Sequence, residues 1–235
     1  MIRLDKYISL AAAKTRSEAK ALIKKKQVTC DGAVVNNPDM KIDENSSVIT
    51  LMGKELSYKE FVYYMLNKPE GFVTATTDLK DSTVMDLVKG AIHFDKLFPV
   101  GRLDKDSTGL LLITDDGETA HRLLSPSKHV FKKYFITLDN DISDEQLNIL
   151  ENGVMLDGEM TKPAHTKRVD SSSVYISICE GKFHQVKRMV HCVGLTVTSL
   201  KRVSFGPLIL DDNLKPGEFR ELTPEEIKSI KEVTK

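Results

Sequence analysis

The chain has little of what marks the specialised protein classes. Its 235 residues contain three cysteines, Cys30, Cys179 and Cys192. They are too few and too scattered for a disulfide framework, and point to a reducing cytoplasm. No apolar run reaches the length of a membrane span. The start, Met1-Ile2-Arg3-Leu4-Asp5-Lys6, lacks the charged-then-apolar layout of a secretory signal. No segment repeats and none is of low complexity. Net charge is absent too, with 34 basic residues against 34 acidic ones. What is left is the composition of a soluble globule, 40% hydrophobic and 29% charged. The length suits one large domain or two unequal ones.

Zero net charge argues against a nucleic-acid partner until its distribution is read. Residues 1 to 28 hold Arg3, Lys6, Lys14, Arg16, Lys20, Lys24, Lys25 and Lys26 against Asp5 and Glu18. Residues 181 to 202 hold Lys182, Lys187, Arg188, Lys201 and Arg202 and no acid. Two basic patches on a neutral chain form an electrostatic footprint for phosphates. A single such patch is as often a solvated surface.

Periodicity divides the chain. Leu4, Tyr7, Ile8, Ala11 and Ala12 share one helical face. Thr15 and Glu18 have capping-box spacing, so a second helix follows that buries Ala19, Leu22 and Ile23 and exposes Arg16, Lys20 and Lys24. Val28 to Val35 reads as a hairpin around Asp31-Gly32, and Val48 to Leu51 as a strand. Polar Lys54 to Lys59 serves as the boundary, giving domains 1–57 and 58–235. Beyond it, Phe61 to Leu66, Leu110 to Thr114, Phe131 to Leu138, Val174 to Cys179, Thr196 to Leu200 and Leu208 to Leu210 are expected strands, with Phe72 to Thr74 running back beside the first. Helices are expected at Gly117 to Leu124, from Ser143 or Asp144 to Leu150, around Val186 to Val193, and from Pro224. Asp115-Asp116-Gly117 reads as a turn. Many strands and few helices favour an α+β fold with a mixed, largely antiparallel sheet flanked by helices.

Residues 101 to 112, Gly-Arg-Leu-Asp-Lys-Asp-Ser-Thr-Gly-Leu-Leu-Leu, carry the chemistry. An acid, Asp104, and a base, Arg102, sit in a short loop before a buried strand, a rigid way to present a reactive carboxylate. Taken alone, Asp104 could be a turn residue, Tyr134 an ordinary core aromatic and Lys187 a solvated helix charge. Asp104-x-Asp106 lacks the partners of a magnesium site. Cys179, His184, His191 and Cys192 fit no usual zinc spacing.

This loop is similar to the catalytic motif of ribosomal RNA pseudouridine synthases, with Ser107 where the usual pattern has Thr. Lys132-x-Tyr134 resembles the family's second motif and Gly181-Lys182-Phe183-His184-Gln185-Val186-Lys187-Arg188-Met189 its third. Lys stands at 187 where related branches carry Arg. The first 57 residues resemble an S4 RNA-binding domain through Arg3-Leu4-Asp5-Lys6-Tyr7, Thr15-Arg16-Ser17-Glu18-Ala19, Gln27-Val28 and Asp31-Gly32. Family members often carry Gly where this chain has Lys26-Gln27. The resemblance implies that Asp104 is the essential carboxylate, that Tyr134 packs on the target base and that Lys187 pairs with Asp104. It implies that Arg102 fills the space of a flipped-out uridine, and backbone groups from Val186 to Arg188 would read its edge. Structured RNA would meet Arg3, Lys6, Thr15, Arg16, Ser17, Lys20, Lys24 and Lys25. Isomerising uridine adds and removes no atom, so no redox cofactor, nucleotide or metal is implied. The expected partner is 16S ribosomal RNA or an assembling small subunit, met by a monomer. A 23S target and a non-catalytic assembly factor are the alternatives.

Overall fold

A computed structural model describes residues 1–12, 14–44, 46–56 and 59–233. The chain forms two compact units, residues 1–62 with 91–95, and residues 63–90 with 96–235. The expected boundary between residues 57 and 58 lies outside the described residues.

The first unit contains β1 (Ile2–Arg3), α1 (Leu4–Ala11), α2 (Arg16–Lys24), β2 (Val28–Cys30), β3 (Ala33–Val34), β4 (Lys41–Ile42), β5 (Ile49–Leu51) and β6 (Lys54–Leu56). Its apolar spacing becomes a core of Leu4, Tyr7, Ile8, Ala19, Ile23, Val28, Ile42 and Ile49, each buried. Thr15 accepts from the Glu18 amide at 3.2 Å while the Glu18 carboxylate accepts from the Thr15 amide at 2.7 Å, so α2 starts at its capping box. Asp31 and Gly32 both have positive φ, the backbone a two-residue hairpin requires between β2 and β3. Lys54–Leu56 is not the polar linker that its composition suggests. It pairs with β5 as an edge strand of the order β3-β2-β5-β6, where polar side chains face solvent at no cost.

The second unit contains β7 (Tyr63–Lys68), α3 (Val84–Leu87), β8 (Phe98–Val100), β9 (Thr108–Thr114), α4 (Gly117–Leu124), β10 (Lys132–Leu138), α5 (Asp144–Asn152), β11 (Met155–Leu156), β12 (Glu159–Met160), β13 (His165–Arg168), β14 (Ser173–Ile178), α6 (Gln185–Cys192), β15 (Val197–Phe205), β16 (Leu208–Ile209), β17 (Phe219–Glu221) and α7 (Pro224–Val233). The sheet runs β13-β14-β10-β15-β9-β7-β17, with β16 on β15 and β8 on β9. Only the β15–β9 pairing is parallel among the described strands. The expected mixed, largely antiparallel sheet is what forms.

Leu110, Leu111, Leu112 and Ile113 are all fully buried, because β9 sits mid-sheet with both faces covered. Each contributes on the order of 1.5–3 kcal/mol by leaving water, which anchors the loop that precedes it. Gly109 makes the β9–β15 approach possible. At φ +99° it lies so close to Arg202 that a Cβ would meet the Arg202 carbonyl oxygen at 2.3 Å.

Three local expectations change. Phe61 and Val62 precede the strand, and Phe72–Thr74 does not run beside it; Val73 makes a single bridge to Thr83. The neighbours of β7 are β9 and β17, far along the chain. Asp116 is more than a turn residue. Buried, it caps α4 through the Thr119 amide at 3.0 Å and accepts from Tyr63 Oη at 2.6 Å.

Candidate active site

The loop from Gly101 to Ser107 joins β8 to β9 and is clamped from three directions. Thr74 Oγ1 accepts from the Leu103 amide at 3.2 Å and donates to the Leu103 carbonyl at 2.7 Å. The Gly71 amide donates to the Lys105 carbonyl at 2.9 Å. Lys68, at the end of β7 and fully buried, sends its ammonium into the turn. It donates to the carbonyls of Ser107 at 2.7 Å, Asp104 at 2.9 Å and Pro69 at 3.1 Å, with Lys105 at 3.4 Å. Burial pushes the Lys68 pKa down to about 8 against the pull of Asp106, Asp104 and Glu70. A buried cation wrapped in backbone carbonyls holds the loop from beneath and leaves the Asp104 side chain free.

That side chain opens into a cleft of about 480 Å³ lined by Arg102, Asp104, Tyr134, Val186 and Lys187. Five of the six residues expected at the site therefore share one cavity. The Asp104 carboxylate is about one-third exposed, with Lys187 Nζ 3.4 Å from one oxygen and His184 Nε2 3.4 Å from the other. Lys187 lies closer to Asp106, at 2.6 Å, and holds that carboxyl below the usual range. The expected Asp104–Lys187 pair is thus one ammonium shared by two carboxylates. Arg102 is exposed at the rim.

Arg188 is the exception. It does not line the cleft, and its guanidinium pairs with Asp157 at 2.6 Å. Helical geometry explains this, since residues 187 and 188 project about 100° apart.

Tyr134 comes from β10 and is buried. A bulge in the β10–β15 pairing sets Lys133 opposite Ser204 but Tyr134 opposite Arg202, and such irregularities re-aim side chains beside sites. Arg202 is itself buried, donating through Nε to the Leu110 carbonyl at 2.7 Å and lying over the Phe205 ring. Burial pushes its pKa down, and the neighbouring Tyr134 opposes that. Lys132 lies over the same ring and is pushed down by burial and then by Arg202.

Lys68, Arg202 and the cleft-facing side of His184 escaped sequence reasoning. Lys68 had a signal, a lysine closing a strand that is otherwise almost wholly apolar. Apart from Pro69, its partners are carbonyls 36 to 39 residues away, and no spacing encodes them. His184 came into view only as a metal ligand, and Arg202 only as one charge of a patch.

The basic residues of the first unit divide in two. Arg3, Arg16 and Lys20 gather around buried Asp5. Lys6, Ser17, Lys24 and Lys25 are exposed, as is Thr15, whose side chain caps α2. Arg3 and Arg16 are therefore structural partners of a carboxylate, and an RNA contact is at most a second use of them.

Residues 62–192 match the family described as RNA pseudouridylate synthase, and residues 2–48 match the S4 domain. An RNA pseudouridine synthase of Bacillus subtilis is 44% identical over 98% of this chain and 99% of its own length. The ribosomal small subunit pseudouridine synthase A of Escherichia coli K12 is 40% identical over 97% of this chain and 100% of its own. A crystal structure of a pseudouridylate synthase superposes with a TM-score of 0.69 at 36% identity, covering 98% of this chain and all of that one. Family model, full-length relatives and shared fold converge: the chain belongs to the RNA pseudouridine synthases and carries an N-terminal S4 domain.

Proposed function

We propose that the chain converts one uridine of small-subunit (16S) ribosomal RNA to pseudouridine, with Asp104 as the reacting carboxylate. The observation that carries this is the cleft that gathers Asp104, Tyr134 and Lys187 from three separate elements. The choice of the small subunit follows the relatives bearing that name over their full length.

A uridine inside folded RNA must leave its stack to reach a carboxylate at the base of a cleft, at a cost of a few kcal/mol. Stacking on Tyr134 returns about 1–3 kcal/mol, and Arg102 at the rim occupies the space the base leaves. The N1–C1′ bond then breaks, the base turns, and C5 bonds to C1′. The C5 proton passes to solvent and N1 gains one, so the reaction balances without a co-reactant. Asp104 acts either as a nucleophile at C1′ or as the base that removes the C2′ proton. Both routes use the same ionised group, and Lys187 compensates its charge. The residues 1–57 act as the RNA-binding domain and 58–235 as the catalytic one. Exposed Lys6, Lys24 and Lys25 contact phosphates, which position without reading sequence. We take it to act as a monomer in the cytoplasm, a reading that the sparse cysteines and the ribosomal substrate support.

The test is tritium release from RNA labelled at uridine C5, together with pseudouridine maps of 16S and 23S RNA from cells with and without the gene. The expected result is one site missing from 16S RNA, and no release by Asp104→Asn. A missing site in 23S RNA would overturn the substrate, and an active Asp104→Asn would overturn the carboxylate.

A further inference from the structure

At the mouth of the cleft, between β14 and α6, Phe183 and His184 form a short stack. Their ring centroids are 3.8 Å apart with 17° between planes. His184 takes a left-handed backbone, φ 49° and ψ 34°, which a residue with a β-carbon adopts only when its surroundings enforce it. The surroundings here are specific. The Gln185 side chain donates through Nε2 to the Glu180 carboxylate, which also accepts from the Lys162 backbone amide, and accepts through Oε1 from the Lys182 backbone amide. This staple fixes both ends of the turn. In consequence one edge of the imidazole meets the Asp104 carboxylate and one face supports the phenyl ring.

Phe183 is 70% exposed and its outer face is bare. An aromatic ring so displayed exposes apolar surface to water with no packing in return. The cleft it lines also carries Lys182, Lys187 and, on its rim, Arg102, beside the carboxylates of Asp104 and Glu180. A flat apolar face in a cleft that also presents ammonium and guanidinium groups fits an anion that carries a flat ring, which is a nucleotide. Flipping a uridine supplies one. The nucleotide beside it loses a stacking partner and turns an uncovered base face toward the cleft mouth.

We propose that Phe183, backed by His184, is a stacking platform for the base adjacent to the target uridine. The inference rests on the proposed entry of a flipped uridine beside Asp104. It assigns Phe183 a role in selecting and holding the RNA strand and none in bond making.

The experiment is a coupling cycle between protein and RNA. Whichever ribosomal RNA fragment the wild-type chain converts is made intact, and again with an abasic residue on the 5′ or the 3′ side of the target uridine. Dissociation constants and conversion rates are measured for wild type, Phe183→Ala and Phe183→Trp. On intact RNA, Phe183→Ala is expected to weaken binding roughly tenfold, the size of one base–aromatic stack, while Phe183→Trp binds as wild type does. On RNA abasic at one of the two neighbours, wild type loses the same tenfold and Phe183→Ala loses nothing more, because the two changes remove one interaction. An equal loss from Phe183→Ala on intact and on both abasic RNAs would overturn the platform and leave the ring a support for its own turn. Wild-type conversion, and its loss in Asp104→Asn, report separately on the carboxylate. Conversion without coupling overturns the platform alone.

Discussion

Two aspartates in this chain face clusters of cations, and they are held in opposite ways. Asp5, in the first turn of α1, has a fully buried side chain. Arg3 donates to it at 3.2 and 2.9 Å, Arg16 at 2.8 Å, and Lys20 stands 3.9 Å away. Asp104 keeps about a third of its side chain exposed, and Lys187 Nζ and His184 Nε2 each stand 3.4 Å from it. A carboxylate saturated with short, charge-assisted bonds has no direction left for chemistry. One that is flanked at longer range, on a loop fixed through its backbone, keeps an open approach. The same residue type thus serves as a structural staple in one unit and as a candidate reactive group in the other, and bonding density separates the two roles.

The largest effect separates them by substitution. Asp104→Asn is expected to cut conversion by at least about 10³-fold while the urea midpoint stays where it was, since no short side-chain bond is lost. Asp5→Ala reverses the pattern. It leaves Arg3 and Arg16, each about half exposed, without their shared counter-charge, a loss read as a lower midpoint for the first unit. The Arg3 hydrogen bonds hold the Asp5 pKa below its ordinary value. Its stabilisation is therefore complete above the free aspartate pKa of about 3.9 and is lost as pH falls below it. A wild-type acid-unfolding profile identical to that of Asp5→Asn would break the comparison.

Lys68 tests the claim that the Asp104 loop is held by its backbone. Lys68→Met strips four carbonyls of a charged donor, at a cost of about 3 kcal/mol, and conversion falls with it although the residue touches no substrate. The pH dependence has a definite sign. With the folded pKa near 8 and the free value of 10.5, the folded chain releases its proton first. Below pH 8 the dehydration of the charge is borne in full, and stability from this group rises as pH climbs from 8 toward 10.5. The gap between wild type and Lys68→Met should therefore widen from pH 7 to pH 10. A narrowing gap would mean that the carbonyls keep the ammonium charged.

The basic face of the first unit gives a smaller effect. Lys24→Gln with Lys25→Gln removes two exposed charges that pair with no carboxylate among the described residues, so folding is unchanged while the slope of log affinity against log salt falls by roughly 1.4–1.8. Arg16→Gln should instead act mainly through stability, because its guanidinium is committed to Asp5. Equal changes in slope from Lys24→Gln and Arg16→Gln would erase the division of that face into structural and RNA-facing cations.

Local rules made much of this legible. The capping box at Thr15, the Asp31-Gly32 hairpin and the apolar run of β9 each depend on neighbours within a few residues, and each forms where its pattern stands. The five cleft residues Arg102, Asp104, Tyr134, Val186 and Lys187 came together because short motifs carried them. What stayed hidden is non-local. The polar β13, His-Thr-Lys-Arg, is a strand only because β14 offers it an edge. The continuation of β15 to Phe205 depends on a parallel neighbour whose Gly109 admits it. Lys68 and Arg202 bond to carbonyls that only the finished fold delivers, so their burial contradicts what residue type alone suggests.

Arg188 supplies the finest test, because it sits one residue from Lys187 in the same motif and differs only in where the helix points it. Its pairing with Asp157 is largely exposed on the aspartate side, and such pairs contribute little to stability. Arg188→Ala should lower stability only slightly. Lys187→Ala, in contrast, removes the cation shared by Asp104 and Asp106, leaving two neighbouring carboxylates uncompensated in the cleft. Conversion should fall by one to two orders of magnitude, from the loss of roughly 1.5–3 kcal/mol of charged interaction, and Lys187→Arg should recover part of it. Comparable losses of conversion from Arg188→Ala and Lys187→Ala would show that position along α6, rather than entry into the cleft, is what the motif preserves.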